Sequence, residues 1–228
     1  MKNEVSIKII AHIYNDYSEK FGIPRQSGMV DGVVSKIIFE PQYRNIDAFR
    51  GLEGFSHLWL LWEFSKAVSE RFSPTVRPPR LGGNTRIGVF ATRSPYRPNS
   101  IGLSSVKLLE LKNDEKDGPV IYVSGADILN GTPIFDIKPY LAYTDSHPYA
   151  TGGFVTQNTQ ELLQVECSKE LLLKLPQEKR DTLIEVLAQD PRPAYHSDPN
   201  KIYGMKFAEA EIKFTVDGNM LKVSDIIV

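Results

Sequence analysis

Residues 104–127 read SSVKLLELKNDEKDGPVIYVSGAD. Two apolar runs, 104–111 and 119–127, flank a polar stretch that ends at Asp117-Gly118. Both runs are strand candidates, short and apolar with turn-prone residues between them. The pattern extends both ways. Residues 5–13 (VSIKIIAHI), 33–39 (VVSKIIF), 56–64 (SHLWLLWEF) and 85–92 (TRIGVFAT) are further strand candidates. Residues 209–216 (EAEIKFTV) alternate, with Ala210, Ile212, Phe214 and Val216 on one face and Glu211, Lys213 and Thr215 on the other. Asp217-Gly218-Asn219 marks a tight turn, and 220–227 returns as the partner strand. Helical spacing is rarer. It predicts a helix over 177–189, where Leu183, Val186 and Leu187 recur and Pro191 stops the pattern, and a short one over 46–52.

Strands not separated by regular helices argue against a doubly wound parallel sheet. The expectation is a mainly β protein: an antiparallel β-barrel-like domain over 1–142, a polar linker loop over 143–160, and a smaller C-terminal α+β portion over 161–228. The 228 residues are 41% hydrophobic and 24% charged, an ordinary globular composition. The single cysteine, Cys167, rules out an internal disulfide and a thiolate cage, which suits a reducing compartment. The first ten residues contain no apolar run of leader length, and no stretch approaches a membrane span. The expected location is cytoplasmic, with no membrane partner and no metal.

The net charge of −1 hides an asymmetry. From Arg71 to Leu109 there is no Asp or Glu, while Arg71, Arg77, Arg80, Arg86, Arg93, Arg97 and Lys107 give the stretch a formal +7; the rest of the chain carries −8. Arginine forks suit phosphate and carboxylate. Phe72, Phe90 and Tyr96 are interleaved with them, and bases stack on such rings. Prolines 74, 78, 79, 95 and 98 stiffen the same stretch. The residues point to an anionic ligand: RNA, a nucleotide or a carboxylated metabolite. Scattered surface arginines paired with distant acids are the plain alternative. Asp136 and Lys138 read as a charged pair on a strand edge. Asp190-Pro191-Arg192-Pro193-Ala194-Tyr195 closes the predicted helix, either as a fixed polar array or as a stiff stop with a local ion pair. His57, in an apolar run, reads as a hydrogen-bonded core residue. Glycine-rich nucleotide fingerprints, a nucleophile elbow and metal-ligand spacing are absent.

The blocks PRQ (24–26), FRGLEGFSHLWLLWEF (49–64), PTVRPPRLGGNTRIGVFATRSPYRPNSIG (74–102), NGTPIFDIKPYL (130–141) and QDPRPAY (189–195) resemble the TsaA-like family, in order and over nearly the whole chain. The resemblance implies a β-barrel methyltransferase using S-adenosylmethionine (SAM). It implies methylation of the exocyclic nitrogen of threonylcarbamoyladenosine beside the anticodon of a tRNA, and a homodimer with the donor site near the subunit interface. A methyltransferase of the same fold with another small or RNA substrate, and a non-catalytic RNA-binding module, are the competing readings.

Carried over by position, Pro24, Arg25 and Gln26 match the donor-binding loop. Arg93 and Leu103 fall at the donor, and Asp127, Ile128, Leu129, Asn130 and Gly131 match the loop that offers backbone groups to its adenosine. Ser65 and Lys66 stand where the family pattern has a His-Gln pair, a departure that makes the chemistry of that pair non-essential. Arg192 is the expected clamp for the threonyl carboxylate, with Tyr195, Arg80, Arg86 and Arg97 also toward the substrate. Asp190 or Asp136 is the expected base.

Overall fold

The computed structural model describes residues 4–66, 72–81, 84–155, 161–193, 196 and 198–228, with Arg80 described through its backbone alone. In chain order the first eight strands are β1 (Ala11–Tyr14), β2 (Val34–Phe39), β3 (His57–Glu63), β4 (Thr75–Val76), β5 (Ile87–Gly88), β6 (Ile101–Asp114), β7 (Gly118–Ser124) and β8 (Thr132–Pro139). Six of them close a barrel in the order β1-β2-β7-β6-β3-β8, and β8 pairs back onto β1. Every ladder in the barrel is antiparallel. Closure removes the free edges that an open sheet would leave. The opening pair of runs is the β6–β7 hairpin, and β6 is longer than its apolar core suggests.

Alternation explains the barrel interior. Along β3, Leu58, Leu60 and Trp62 are buried, while His57, Trp59, Leu61 and Glu63 are half-buried on the other face. Ile13, Ile37, Val106, Ile121, Val123, Ile128 and Ile134 complete the packing. His57 is therefore half-buried outside the barrel core, its Nδ1 within 2.9 Å of Ser56 Oγ.

Two strand expectations need correction. The run 85–92 is strand only at Ile87–Gly88, which pairs with Thr75–Val76 in a separate two-stranded ribbon. The Thr92 N–H then bonds back to the Val89 carbonyl and turns the chain. The run 5–13 is strand only from Ala11, where β1 begins. Asp136 and Lys138 do lie on a strand, 132–139, which runs in the barrel between β1 and β3. Its two prolines and its Asp-Lys pair blur the alternation. Pro133 and Pro139 lie near its ends, where a missing N–H disturbs the ladder least.

The remaining elements are α1 (Ala142–Asp145), β9 (Gln164–Glu166), α2 (Lys169–Leu172), α3 (Gln177–Ala188), β10 (Tyr203–Phe207), β11 (Ala210–Asp217) and β12 (Met220–Ile227). They build a sheet in the order β10-β11-β12-β9, with β9 parallel to β12. Ala210, Ile212, Phe214 and Val216 all point into its core, as their alternation predicts. Leu183, Val186 and Leu187 of α3 pack into the same cluster.

This second core also takes residues from the connection between β1 and β2. Tyr17, Val30 and Val33 are buried in it, with Phe21 and Ile23 packed against it. Phe21 stacks on Tyr203 and Phe214 at ring separations of 6.5 and 6.4 Å. Asp16 pairs with Lys179, and the Glu19 carboxylate accepts from the Lys206 N–H at 2.9 Å. Gly22 has φ +94°, and a Cβ there would sit 2.3 Å from Met205 Sδ. Only glycine permits that approach.

Candidate functional site

A cavity of about 810 Å³ opens at one end of the barrel, in the size range of small-molecule sites. Chain segments distant in sequence converge on it. The first is the β1–β2 connection, which supplies Lys20, Ile23, Pro24, Arg25 and Gln26. Pro24 is buried, and the Arg25 guanidinium donates to the Arg192 carbonyl at 3.3 Å. The second is the end of β3 with the residues after it, Trp62 to Lys66. Lys20 Nζ donates to the Lys66 carbonyl at 2.5 Å and ties the first two segments together.

The third segment runs from Thr92 to Leu103. It contributes Arg93, Pro95, Tyr96, Arg97 and Asn99, then Ile101 to Leu103 at the start of β6. Short polar turns stiffen it. Thr92 Oγ1 accepts from the Ser94 N–H, Ser94 Oγ accepts from the Tyr96 N–H, and Arg97 Nη1 donates to the Thr92 carbonyl. Arg93 Nη1 donates to Gln26 Oε1 at 2.5 Å, which joins the PRQ loop to the ATRS block. The fourth segment, after β7, brings Asp127, Leu129 and Thr132.

Asp127 is the most perturbed acid at the cavity. Burial pushes its carboxyl above the usual range, opposed first by the Ser104 hydroxyl, then by the backbone N–H of Asp127, the Arg93 charge and the Ser27 N–H. Ser104 Oγ donates to Asp127 Oδ1 at 2.5 Å and accepts from Trp62 Nε1 at 2.9 Å. Trp62 in turn lies against Gly102, where a Cβ would stand 2.3 to 2.6 Å from indole carbons. The ring is buried, hydrogen-bonded and packed on Phe64 at 4.2 Å, so it has little room to move. Gly102→Ala is expected to cost about 1–3 kcal/mol by overpacking. Urea unfolding checks the cost, and a shifted Trp62 emission locates it.

The structure therefore brings together nine residues singled out for the donor: Pro24, Arg25, Gln26, Ser65, Lys66, Arg93, Leu103, Asp127 and Leu129. It also brings Arg97 to the same cavity. The other three residues of the loop expected at the adenosine, Ile128, Asn130 and Gly131, are not among those that line the cavity. The Ile128 side chain is fully buried in the barrel core. The Asn130 and Gly131 N–H groups bond to the carbonyls of Tyr17 and Ile13, so they shape the β1–β2 connection and do not line the cavity.

Both expected bases are displaced from it. Asp136 lies on β8, where it pairs with Lys138 at 2.9 Å. Asp190 follows α3 in a left-handed conformation, φ 50°, and both of its oxygens accept from Arg192, at 2.8 and 2.9 Å. That pair lines a smaller pocket of about 220 Å³, which shares Lys20, Ile23, Pro24 and Arg25 with the large cavity. Arg86 Nε donates to Thr75 Oγ1 on the β4–β5 ribbon, outside the cavity. The Arg80 side chain and Tyr195 lie outside the described residues. Sequence reading missed Lys20, Trp62, Glu63, Gly102 and Ser104 among the residues that build the site. Trp62 and Ser104 sit on apolar-patterned strands and read as plain core.

Among the described residues, no group of three His, Cys, Asp or Glu could hold a metal, and no helix is long and apolar enough to cross a membrane.

Residues 12–146 match the model of the tRNA-methyltransferase O N-terminal domain, and residues 160–228 that of the TrmO C-terminal domain. The chain belongs to the TrmO family. A relative from Escherichia coli (strain K12), a tRNA (adenine(37)-N6)-methyltransferase, is 41% identical over 215 residues, 91% of each chain. A putative S-adenosylmethionine-dependent methyltransferase, RcsF, from Pseudomonas aeruginosa is 36% identical over 91% of this chain and 90% of its own. The crystal structure of TrmO from Pseudomonas aeruginosa superposes with a TM-score of 0.79 at 30% identity, covering 99% of this chain and all of the other. The closed six-stranded barrel is thus a TrmO-family barrel, and the PRQ loop, the end of the 49–64 block and the ATRS stretch are among the segments that meet at its mouth.

Proposed function

We propose that this protein is a SAM-dependent tRNA methyltransferase that transfers a methyl group to the exocyclic N6 of threonylcarbamoyladenosine, next to the anticodon. The observation that carries this reading is the convergence of four of the five family-resembling blocks on one cavity. The donor-binding unit is the barrel region 1–142, joined through residues 143–160 to the C-terminal portion 161–228.

The cavity suits the donor. It combines a nucleoside-sized volume, apolar walls at Ile101, Leu103 and Leu129, and charges of both signs. Arg25 and Arg93 match the donor's carboxylate, while Glu63 opposes the clash between a sulfonium and the surrounding cations. When bound, SAM supplies an electrophilic methyl carbon. The chain itself supplies placement: loops held by internal hydrogen bonds fix donor and acceptor at little further entropic cost. The acid-free stretch attracts the tRNA backbone, and exposed Phe72 and Phe90, with ring centroids 6.4 Å apart, offer faces to unstacked bases.

Arg192 is the clamp for the threonyl carboxylate. Asp190 takes two of its five N–H donors and holds the fork in one orientation, with the side chain only 13% exposed. Arg192→Ala is expected to leave SAM affinity within about threefold, since the Arg192 carbonyl that accepts from Arg25 is retained. Turnover on modified tRNA should fall on the order of 100-fold, the worth of a buried charge-assisted pair. Calorimetry and steady-state kinetics check the two halves.

The activity is tested by incubating the purified protein with SAM and tRNA bearing threonylcarbamoyladenosine, followed by nucleoside mass spectrometry. One added methyl on that nucleoside is the expected product. Bound SAM with no methyl transferred would refute the reading.

A further inference from the structure

The acceptor nitrogen carries a proton, and that proton must leave when the nitrogen becomes fully substituted. Neither Asp136 nor Asp190 reaches the cavity. Among the described residues two carboxylates line it, Glu63 and Asp127. A directed chain of hydrogen bonds stands behind Asp127. The indole N–H of Trp62 is donor-only, so Ser104 Oγ must accept from it. The Ser104 hydroxyl proton is then committed to Asp127 Oδ1, 2.5 Å away. Trp62 and Ser104 are 6% and 1% exposed, so the chain is set by the fold and holds the carboxylate plane in place. No such chain backs Glu63 among the described residues.

We propose that Asp127 is the proton acceptor in methyl transfer, with Ser104 and Trp62 as its positioning residues. The proposal rests on the methyltransferase reading and names the base within that same site. As the acceptor nitrogen approaches the methyl carbon, its N–H proton passes to the Asp127 carboxylate. The nitrogen electron pair forms the N–C bond, and the pair of the breaking C–S bond returns to sulfur. The sulfonium charge and the carboxylate charge disappear together, so the low-polarity site is left with a neutral thioether and a carboxylic acid that later releases its proton to solvent. Burial, which lifts Asp127 above ordinary carboxylates, brings it closer to the pH at which a base works best.

The test combines a carboxyl-carbon NMR titration of the ligand-free protein with SAM calorimetry and single-turnover methylation across pH. Asp127→Asn should bind SAM within about threefold of wild type and lose on the order of 100- to 10,000-fold in transfer rate. Its rate should no longer rise with pH along an acid limb. Ser104→Ala removes the donor that favours the ionised form. It should therefore move the Asp127 titration and the acid limb to higher pH together, a result that a purely structural role would not produce. An Asp127→Asn protein that retains the transfer rate would overturn the assignment. So would loss of SAM affinity in step with rate, an acid limb that stays fixed while the Ser104→Ala titration moves, or an acid limb abolished by Glu63→Gln. An active wild type with an equally active Asp127→Asn sinks this proposal alone. A wild type that transfers no methyl to tRNA sinks the methyltransferase reading as well.

Discussion

SAM binding measured by calorimetry is expected to weaken on the order of 100-fold in Arg25→Ala and again in Arg93→Ala. Each loss is that of a hydrogen bond to a charged group in a partly enclosed site, roughly 1.5–3 kcal/mol. The two residues lie 68 positions apart in sequence yet share the wall of one cavity. Gln26 joins them: its amide oxygen accepts from Arg93 and its amide nitrogen donates to the Arg25 carbonyl. Removing either arginine therefore deletes a cation and also unpins the other's support. The double variant should lose less than the sum of the singles, as expected for residues in one network. Unchanged affinity in both singles would remove these loops from the donor site.

The largest expected loss of stability is in Phe214→Ala. Phe214 is fully buried, with its ring 5.5 Å from Tyr203 and 6.4 Å from Phe21. Truncating such a ring costs about 3–5 kcal/mol, which for a chain of this length lowers Tm by roughly 10 °C. The effect should reach the site. Phe21 immediately precedes Gly22, and the β1–β2 connection holds Pro24, Arg25 and Gln26 in place by leaning on the second core. We expect the SAM Kd of Phe214→Ala to rise about tenfold at a temperature where the protein is still folded. Calorimetric melting and SAM titration measure both quantities on one sample. A lowered Tm with unaltered Kd would mean that the PRQ loop keeps its shape without the C-terminal sheet.

Period-two alternation by itself determined much of this protein. Leu58, Leu60 and Trp62 in one segment and Ala210, Ile212, Phe214 and Val216 in another must face a core, whatever that core turns out to be, because a pleated strand sends alternate side chains to opposite sides. The same local logic marks the helix over Gln177–Ala188 and the tight turn at Asp217-Gly218-Asn219. The acid-free arginine stretch and the five sequence blocks were equally legible, and they contain most of the residues that line the cavity.

What the sequence left undetermined depends on partners distant along the chain. The strand Thr132–Pro139 has weak intrinsic alternation, and it becomes a strand because β1 and β3 offer it ladders on both sides. Tyr17, Val30 and Val33, in the connection between β1 and β2, find their burial in a core whose other buried members lie more than 140 residues away. Asp136 and Asp190 look as eligible for proton transfer as Asp127 does, since a carboxylate's role is set by what surrounds it. Lys138 and Arg192 neutralise the first two, while burial and the Ser104 hydroxyl act on the third. Neighbours along the chain set strand, turn and charge. Burial, ladder closure and the direction of a hydrogen bond are set only when segments far apart in sequence come into contact, and the tertiary structure alone decides them.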